Sequence, residues 1–420
     1  MNTSDDRGDL LRPLRDIDGA DGPPPRYDVA LAMRQGDTIR RRRTSIGAFA
    51  AIVVVGAAIG IPLGLPSPQQ AGPAPSPSRT VPTPSESPSP SPSSTNPADL
   101  PVANCTVTTL TAPTAAGAFT SWGNAVIDPT GHYLATSLMK TFTLPLPDFV
   151  PTKPLLVDLR TGQMSLIPAA DGGVDGVNAN GVVIGNSGST GAGWVYRNGK
   201  VSLLPKFHGI AATPNAINAR GDIIGLMINR QTETSVIWPA ANPGTVRALL
   251  PATLLANTIS DSGLIGGAIG SFDRGRPYVG DGKGNGHTLS TGDADPQGDV
   301  FQIRGHYAVG EGPILGGRYP LVWNLTTGAL TTYPDVRLNS IANDGTTVGQ
   351  VTSSSGVYTS IGLVARGGRL QRLPTGPGDN LRVYVNPDGI TDDGHTIVGT
   401  SRTPVNNDGP FSRVALLWHC

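Results

Sequence analysis

The chain has 420 residues, 31 basic and 31 acidic, and a formal net charge of zero. Charged residues make up only 15%, while Gly (55) and Pro (39) are abundant. That balance offers no broad basic or acidic face and argues against nucleic acid as a main partner.

Residues 1–44 are mixed in charge and too short to bury a core, so they read as a largely disordered cytoplasmic tail. No His/Cys cluster suited to zinc occurs there. Residues 45–65, SIGAFAAIVVVGAAIGIPLGL, are uncharged over about 21 positions, enough to cross a bilayer as a helix. Arg40, Arg41, Arg42 and Arg43 precede the run and the next basic residue is Arg79, so the positive-inside rule leaves the N-terminus in the cytoplasm. A cleaved export signal is the rival reading, but the region ahead of the run is long for one. A retained single-pass anchor fits better. Residues 66–101 alternate Pro and Ser, which forbids helix and sheet and favours extended polyproline II. At about 3.1 Å per residue this extracellular linker could reach on the order of 100 Å from the bilayer.

From residue 102 to 420 the chain repeats itself. An apolar residue and an Asn/Asp-rich turn ending in Gly recur in IDPTG (to Gly131), VNANG (Gly181), INARG (Gly221), ISDSG (Gly263), FQIRG (Gly305), IANDG (Gly345) and ITDDG (Gly394). A turn of this kind needs positive φ at its last residue, which Gly supplies. Most copies continue with a second hairpin, as in GWVYRNGKVSLLP and PLVWNLTTGALTTYP. The unit is therefore four strands, and a period of about 40 to 50 residues is that of a propeller blade. The seventh copy stops at FSRVALLWHC without a fourth strand, while NCTVTTLTAP, at residues 104–113, is a strand without a blade. Joining the two closes a ring of seven and removes exposed sheet edges. The expected fold is an all-β, seven-bladed propeller closed by its N-terminal strand. On this alignment Trp194, Trp238, Trp323 and Trp418 share one place on the third strand, as blade core.

Cys105 and Cys420 are the only cysteines. The closure puts them across one hairpin, and outside the cell they are expected to form a disulfide. A loop that long corresponds to about 4 to 5 kcal/mol in the chain-entropy model.

The repeat, apolar–Asn–x–x–Gly–x–apolar–apolar–Gly followed by an aromatic-bearing hairpin, resembles the HAF-type extracellular repeat family over about residues 120–420. The resemblance is clearest in the second and third copies. It implies an extracellular location and a propeller-like fold, and it supplies no catalytic set.

Propeller sites usually lie at a mouth of the central channel. Six residues before each turn glycine stand Ala125, Asp175, Asn215, Asn257, Asp299, Asn339 and Asp388, with Asn124 beside the exception. Two readings stand side by side. Asp175, Asn215, Asn257, Asp299, Asn339 and Asp388 form a ring of oxygen ligands for a polar ligand or a hard cation such as calcium, or each satisfies backbone groups between blades. DGKGNG from Asp281 and TGDADPQGD from Thr291 are candidate calcium loops on the same chemistry. The six histidines show no metal-binding spacing. The expected function is a monomeric extracellular propeller, tethered to the membrane, that binds a protein, a glycan or a wall polymer. Alternatives are a hydrolase or lyase using channel carboxylates such as Asp175, Asp299 and Asp388, and a transmembrane sensor.

Overall fold

The computed structural model describes residues 99–420 except 142–150, 169–171, 189, 230–231, 271–274, 293–295, 315–316, 334, 353–359, 376–383 and 403–412. Among the described residues no helix is long and apolar enough to cross a membrane. The expected tail, anchor and most of the linker lie outside them.

Seven four-stranded antiparallel sheets follow one another. The first holds Ser121–Ile127, Tyr133–Met139, Thr152–Asp158 and Gln163–Leu166, paired in chain order. The next five begin at Gly173–Val177, Ala212–Ile217, Leu254–Ile259, Asp299–Arg304 and Val336–Ile341. The seventh combines Tyr384–Ile390, Thr396–Arg402 and Val414–His419 with the N-terminal strand Thr106–Leu110. Thr106 faces His419 and Leu110 faces Ala415 in that last ladder. The first strand of each sheet packs beside the first strands of both neighbours, blade seven against blade one included, so these strands wall a central channel. The fold is a closed seven-bladed β-propeller. A disulfide joins Cys105 to Cys420 across a separation of 315 residues, pinning the closure as expected.

Burial follows from this geometry. Seven apolar clusters each fill one seam between adjacent blades: Leu134, Leu155, Val398 and Leu417 at the seam of blades seven and one, and Ile184, Ile223 and Trp238 at that of two and three. Neither face of a blade is solvated enough to show clean alternation, and second strands such as Val183–Asn186 are buried throughout. The face carrying the Gly-ended turns is called here the turn face. The opposite one, where blades are linked and second strands meet third strands, is the loop face.

The second glycine of the repeat also has a structural cause. Every first strand is bulged where it pairs with the second: around Asp175, Asn215, Asn257, Phe301, Asn339 and Asp388, and across Gly123 and Asn124 in blade one. Gly185, Gly225, Gly267, Gly310, Gly349 and Gly399 face the residue just before the bulge. A bulge kinks its strand toward the partner, and a Cβ on Gly225 would lie 2.2 Å from the Thr213 carbonyl oxygen. Only glycine fits.

Two sequence alignments shift by two residues. In blade five the chain turns tightly from Arg304 to Tyr307, so the bulge falls on Phe301 and Asp299 stands two positions ahead of it. In blade two Trp194 faces Gly185, whereas Trp238, Trp323 and Trp418 face Ile223, Ala308 and Ile397; Tyr196 holds the equivalent place. The aligned Trp column is thus three residues, not four. The consequence is visible in hydrogen bonding. Trp238, Trp323 and Trp418 donate their indole N–H to the Pro205, Ser290 and Pro374 carbonyls at the end of the preceding blade, while the buried Trp194 Nε1 has no partner among the described residues.

Candidate functional site

The bulge decides where the Asn/Asp column points. An unpaired residue at a bulge is turned out of the ladder, and five of the six candidate residues, Asp175, Asn215, Asn257, Asn339 and Asp388, occupy this position. All five are half-buried.

Their hydrogen bonds run from blade to blade. Asn215 Nδ2 donates to the Ala256 carbonyl at 2.8 Å, Asn257 Nδ2 to the Val300 carbonyl at 3.1 Å, and Asn339 Nδ2 to the Pro387 carbonyl at 2.6 Å. Each acceptor is the residue just before the next blade's bulge. Asn257 also donates to Asp299 Oδ1 at 2.7 Å, and Asn339 to Asn386 Oδ1 at 3.2 Å. Asp388 accepts from the Ala125 N–H of blade one at 3.2 Å and from the Asn386 amide. The amides therefore stitch inner strands together, as a buried carbonyl without a partner would be costly.

Asp175 departs from this pattern. Its carboxylate accepts from Asn186 Nδ2 of its own blade at 2.8 Å. Burial pushes its pKa up to about 8, the Asn186 amide pulling it back only in part. At neutral pH it holds a proton. Asp299 and Glu311 face each other across the blade-five ladder, at the loop-face end of the inner strand.

A second constellation, at the turn-face end of the channel, was not found by sequence reasoning. Arg304 Nε of blade five stands 3.6 Å from Asp392 Oδ1 of blade seven, two blades away. The Asp392 carbonyl accepts from the Asn343 N–H of blade six at 3.0 Å, and its own N–H donates to Pro129 of blade one at 2.8 Å. Burial raises the Asp392 pKa, Arg304 opposes this, and the nearby Asp261 and Asp128 carboxylates raise it further. Blades four, five, six and one thus meet around one residue of blade seven. The only sequence signal was the first Asp of ITDDG, indistinguishable there from turn chemistry.

Among the described residues no three His, Cys, Asp or Glu side chains come together as metal ligands. In the first candidate calcium loop Asp281 caps its own turn, accepting from the Asn285 amide at 2.8 Å and the Lys283 N–H at 2.8 Å. Those bonds hold its carboxyl below the usual range. The second loop lies partly outside the described residues.

No protein-family model and no curated protein matches the chain. Among solved structures it is similar to the β-propeller domain of the Trilobed protease from Pyrococcus furiosus, at 10% identity and a TM-score of 0.50 over 71% of this chain and 93% of that one. That domain is described as an open velcro; here the N-terminal strand completes blade seven. The chain is also similar to an oligogalacturonate lyase from Vibrio parahaemolyticus (12% identity, TM-score 0.46, 76% and 98% covered) and to virginiamycin B lyase from Staphylococcus aureus (12%, 0.48, 76% and 100%). At such identities the likeness is one of fold.

Proposed function

We propose that this protein is a membrane-tethered propeller displayed outside the cell, where it acts as a binding module. The apolar run after four arginines and the Pro/Ser-rich linker support the placement. The resemblance of the repeat to HAF-type extracellular repeats supports it too. One observation carries the choice of binding over catalysis: the channel-wall amides of Asn215, Asn257 and Asn339 are engaged in holding blades together. A rigid closed ring with outward loops is a scaffold for recognition. In a pull-down, isolated cell wall or an extracellular partner should retain the full chain. Full recovery in the unbound fraction against both would refute the reading.

Asp175 favours a second reading, a propeller hydrolase or lyase. A carboxyl that keeps its proton to about pH 8 in a channel wall has the state a general acid needs. Glycoside and ester turnover abolished by Asp175→Asn would support it; turnover indifferent to that change would count against it.

A further inference from the structure

We propose that Asp175, Asn215 and Asn257 form an arc of the channel wall that binds a small organic ammonium ion. The site lies inside the ring, goes beyond the cell-wall or protein contact proposed above, and does not depend on it.

The three residues take the same place on successive inner strands, those of blades two, three and four. Each is the unpaired residue of its bulge, between Val174 and Gly176, Pro214 and Ala216, and Ala256 and Thr258. An inner strand has a ladder partner on one edge only, and its other edge borders the channel. Neighbouring inner strands pack side by side along it. Hydrogen bonds tie the arc together. Asn215 Nδ2 lies 2.8 Å from the carbonyl of Ala256, the residue before Asn257, and Asn257 Nδ2 lies 3.1 Å from the Val300 carbonyl of blade five.

Those bonds also fix what is left over. A carbonyl acceptor can be met only by the amide nitrogen, so the oxygen of each amide is the atom left free. Among the described residues Asn215 Oδ1 and Asn257 Oδ1 accept nothing, and Asp175 accepts only at Oδ2, from Asn186. Asn215 Oδ1, Asn257 Oδ1 and Asp175 Oδ1 are not among the buried unpartnered atoms, so all three open onto the channel.

The arc selects its ligand by chemistry. Its free side-chain atoms are all acceptors, which favours a ligand that donates. The three inner strands, GVDGV, ATPNAI and LLANTI, hold no basic residue and one acid, Asp175. Around Asp175 pack the inner strands of blades one and three, its own second strand, and the second and third strands of blade one. The titratable groups on those elements are turned to other partners. Lys153 donates to the Ala116 carbonyl, Asp158 caps its own turn at the Arg160 N–H, and the Tyr133 ring lies beside Gly181. No cation therefore answers the Asp175 carboxyl, and burial keeps it neutral up to about pH 8. An ammonium group supplies the missing counter-charge. The carboxyl gives its proton to solvent and accepts from the ammonium, while the rest of the ligand donates to the two amide oxygens. A calcium ion is a poorer match, because it takes about six to eight oxygens around one centre, and the three here come from three strands.

The test is isothermal titration of the full chain in detergent micelles with putrescine. Butanediol, succinate and calcium chloride are the neutral, anionic and metal controls. Putrescine should bind at pH 8, butanediol about tenfold more weakly or less, and succinate and calcium not at all. Only the ionised carboxyl pairs with ammonium, so affinity should fall about fiftyfold from pH 8 to pH 6, the ratio of ionised fractions for a pKa of about 8. At pH 7 binding should release about one proton, read as a heat that varies with the ionisation enthalpy of the buffer. Asp175→Asn should weaken putrescine binding about tenfold or more and abolish both the pH dependence and the proton release. Should that variant not fold, the pH profile and proton release of the parent decide alone. No putrescine binding by the parent, equal binding of butanediol, tighter binding of calcium, a flat pH profile, or undiminished binding by Asp175→Asn would each overturn the site. Cell-wall retention is scored in parallel. A parent that is retained but ignores putrescine loses only the channel site, whereas one that binds putrescine without being retained tells only against the cell-wall contact.

Discussion

Gly225→Ala tests the account of the repeat most directly. The new methyl would sit 2.2 Å from the Thr213 carbonyl oxygen, 2.8 Å from the Trp238 ring and 2.9 Å from Pro214 Cα. Two of those neighbours are backbone, on a strand held by its ladder on one side and by the Asn215 bond to blade four on the other. The strand must shift, and overpacking of this kind costs about 1–3 kcal/mol. The upper half of that range is expected here because no flexible side chain can yield. For a domain of this size about 3 kcal/mol lowers Tm by roughly 4 °C. Gly244→Ala is the control: its φ is not positive and a Cβ there meets nothing within 4 Å. That change should be neutral, or stabilise by up to about 1 kcal/mol through the unfolded state. Thermal unfolding of both variants by circular dichroism gives the comparison. If Gly225→Ala unfolds within 1 °C (about 0.7 kcal/mol) of Gly244→Ala, the bulge is not what demands the glycine.

Asp175→Asn should change how stability depends on pH. The native carboxyl keeps its proton to about pH 8 while the unfolded one loses it near 3.8, so the native state binds the extra proton between those values and stability falls as pH rises. The Tm advantage of the variant should widen from pH 5 to pH 8 and then level off; a constant gap would refute the burial of this group. Trp238→Phe leaves the Pro205 carbonyl without its donor and should cost about 1 kcal/mol more than Trp194→Phe, whose indole N–H has no partner to lose. Equal costs by denaturant unfolding would contradict the assigned bonds. Reducing the Cys105–Cys420 disulfide should remove about 5 kcal/mol and free the N-terminal strand to hydrogen exchange before any other blade. Uniform exchange after reduction would show that the closure needs no pin.

Much of the architecture was legible without coordinates, for a physical reason. A blade cannot bury its faces alone, so the sequence must restate the same turns, strand lengths and apolar positions until the ring closes. That repetition gave the blade count, the completion of the seventh blade by the N-terminal strand, and the cysteine pairing. Even the Asn/Asp column could be seen by counting back from Gly221 and its counterparts.

Its chemistry could not. Asn215 and Asp175 occupy equivalent places, yet one donates an amide to blade four and the other is a carboxyl held by its own blade. The difference depends on what the neighbouring strand offers at that height. Counting failed where a turn changed length, which put Asp299 in a column that Phe301 occupies. The Trp194 alignment failed through a similar slip of two residues, invisible until strand register was known. The Arg304–Asp392 pair and the contacts of Lys140 and Lys153 with the Phe119 ring join segments that lie far apart in the chain or share no motif. Periodicity therefore determined the ring, while register and closure decided which side chains meet within it. Register is set by packing across the seams, which no single repeat contains.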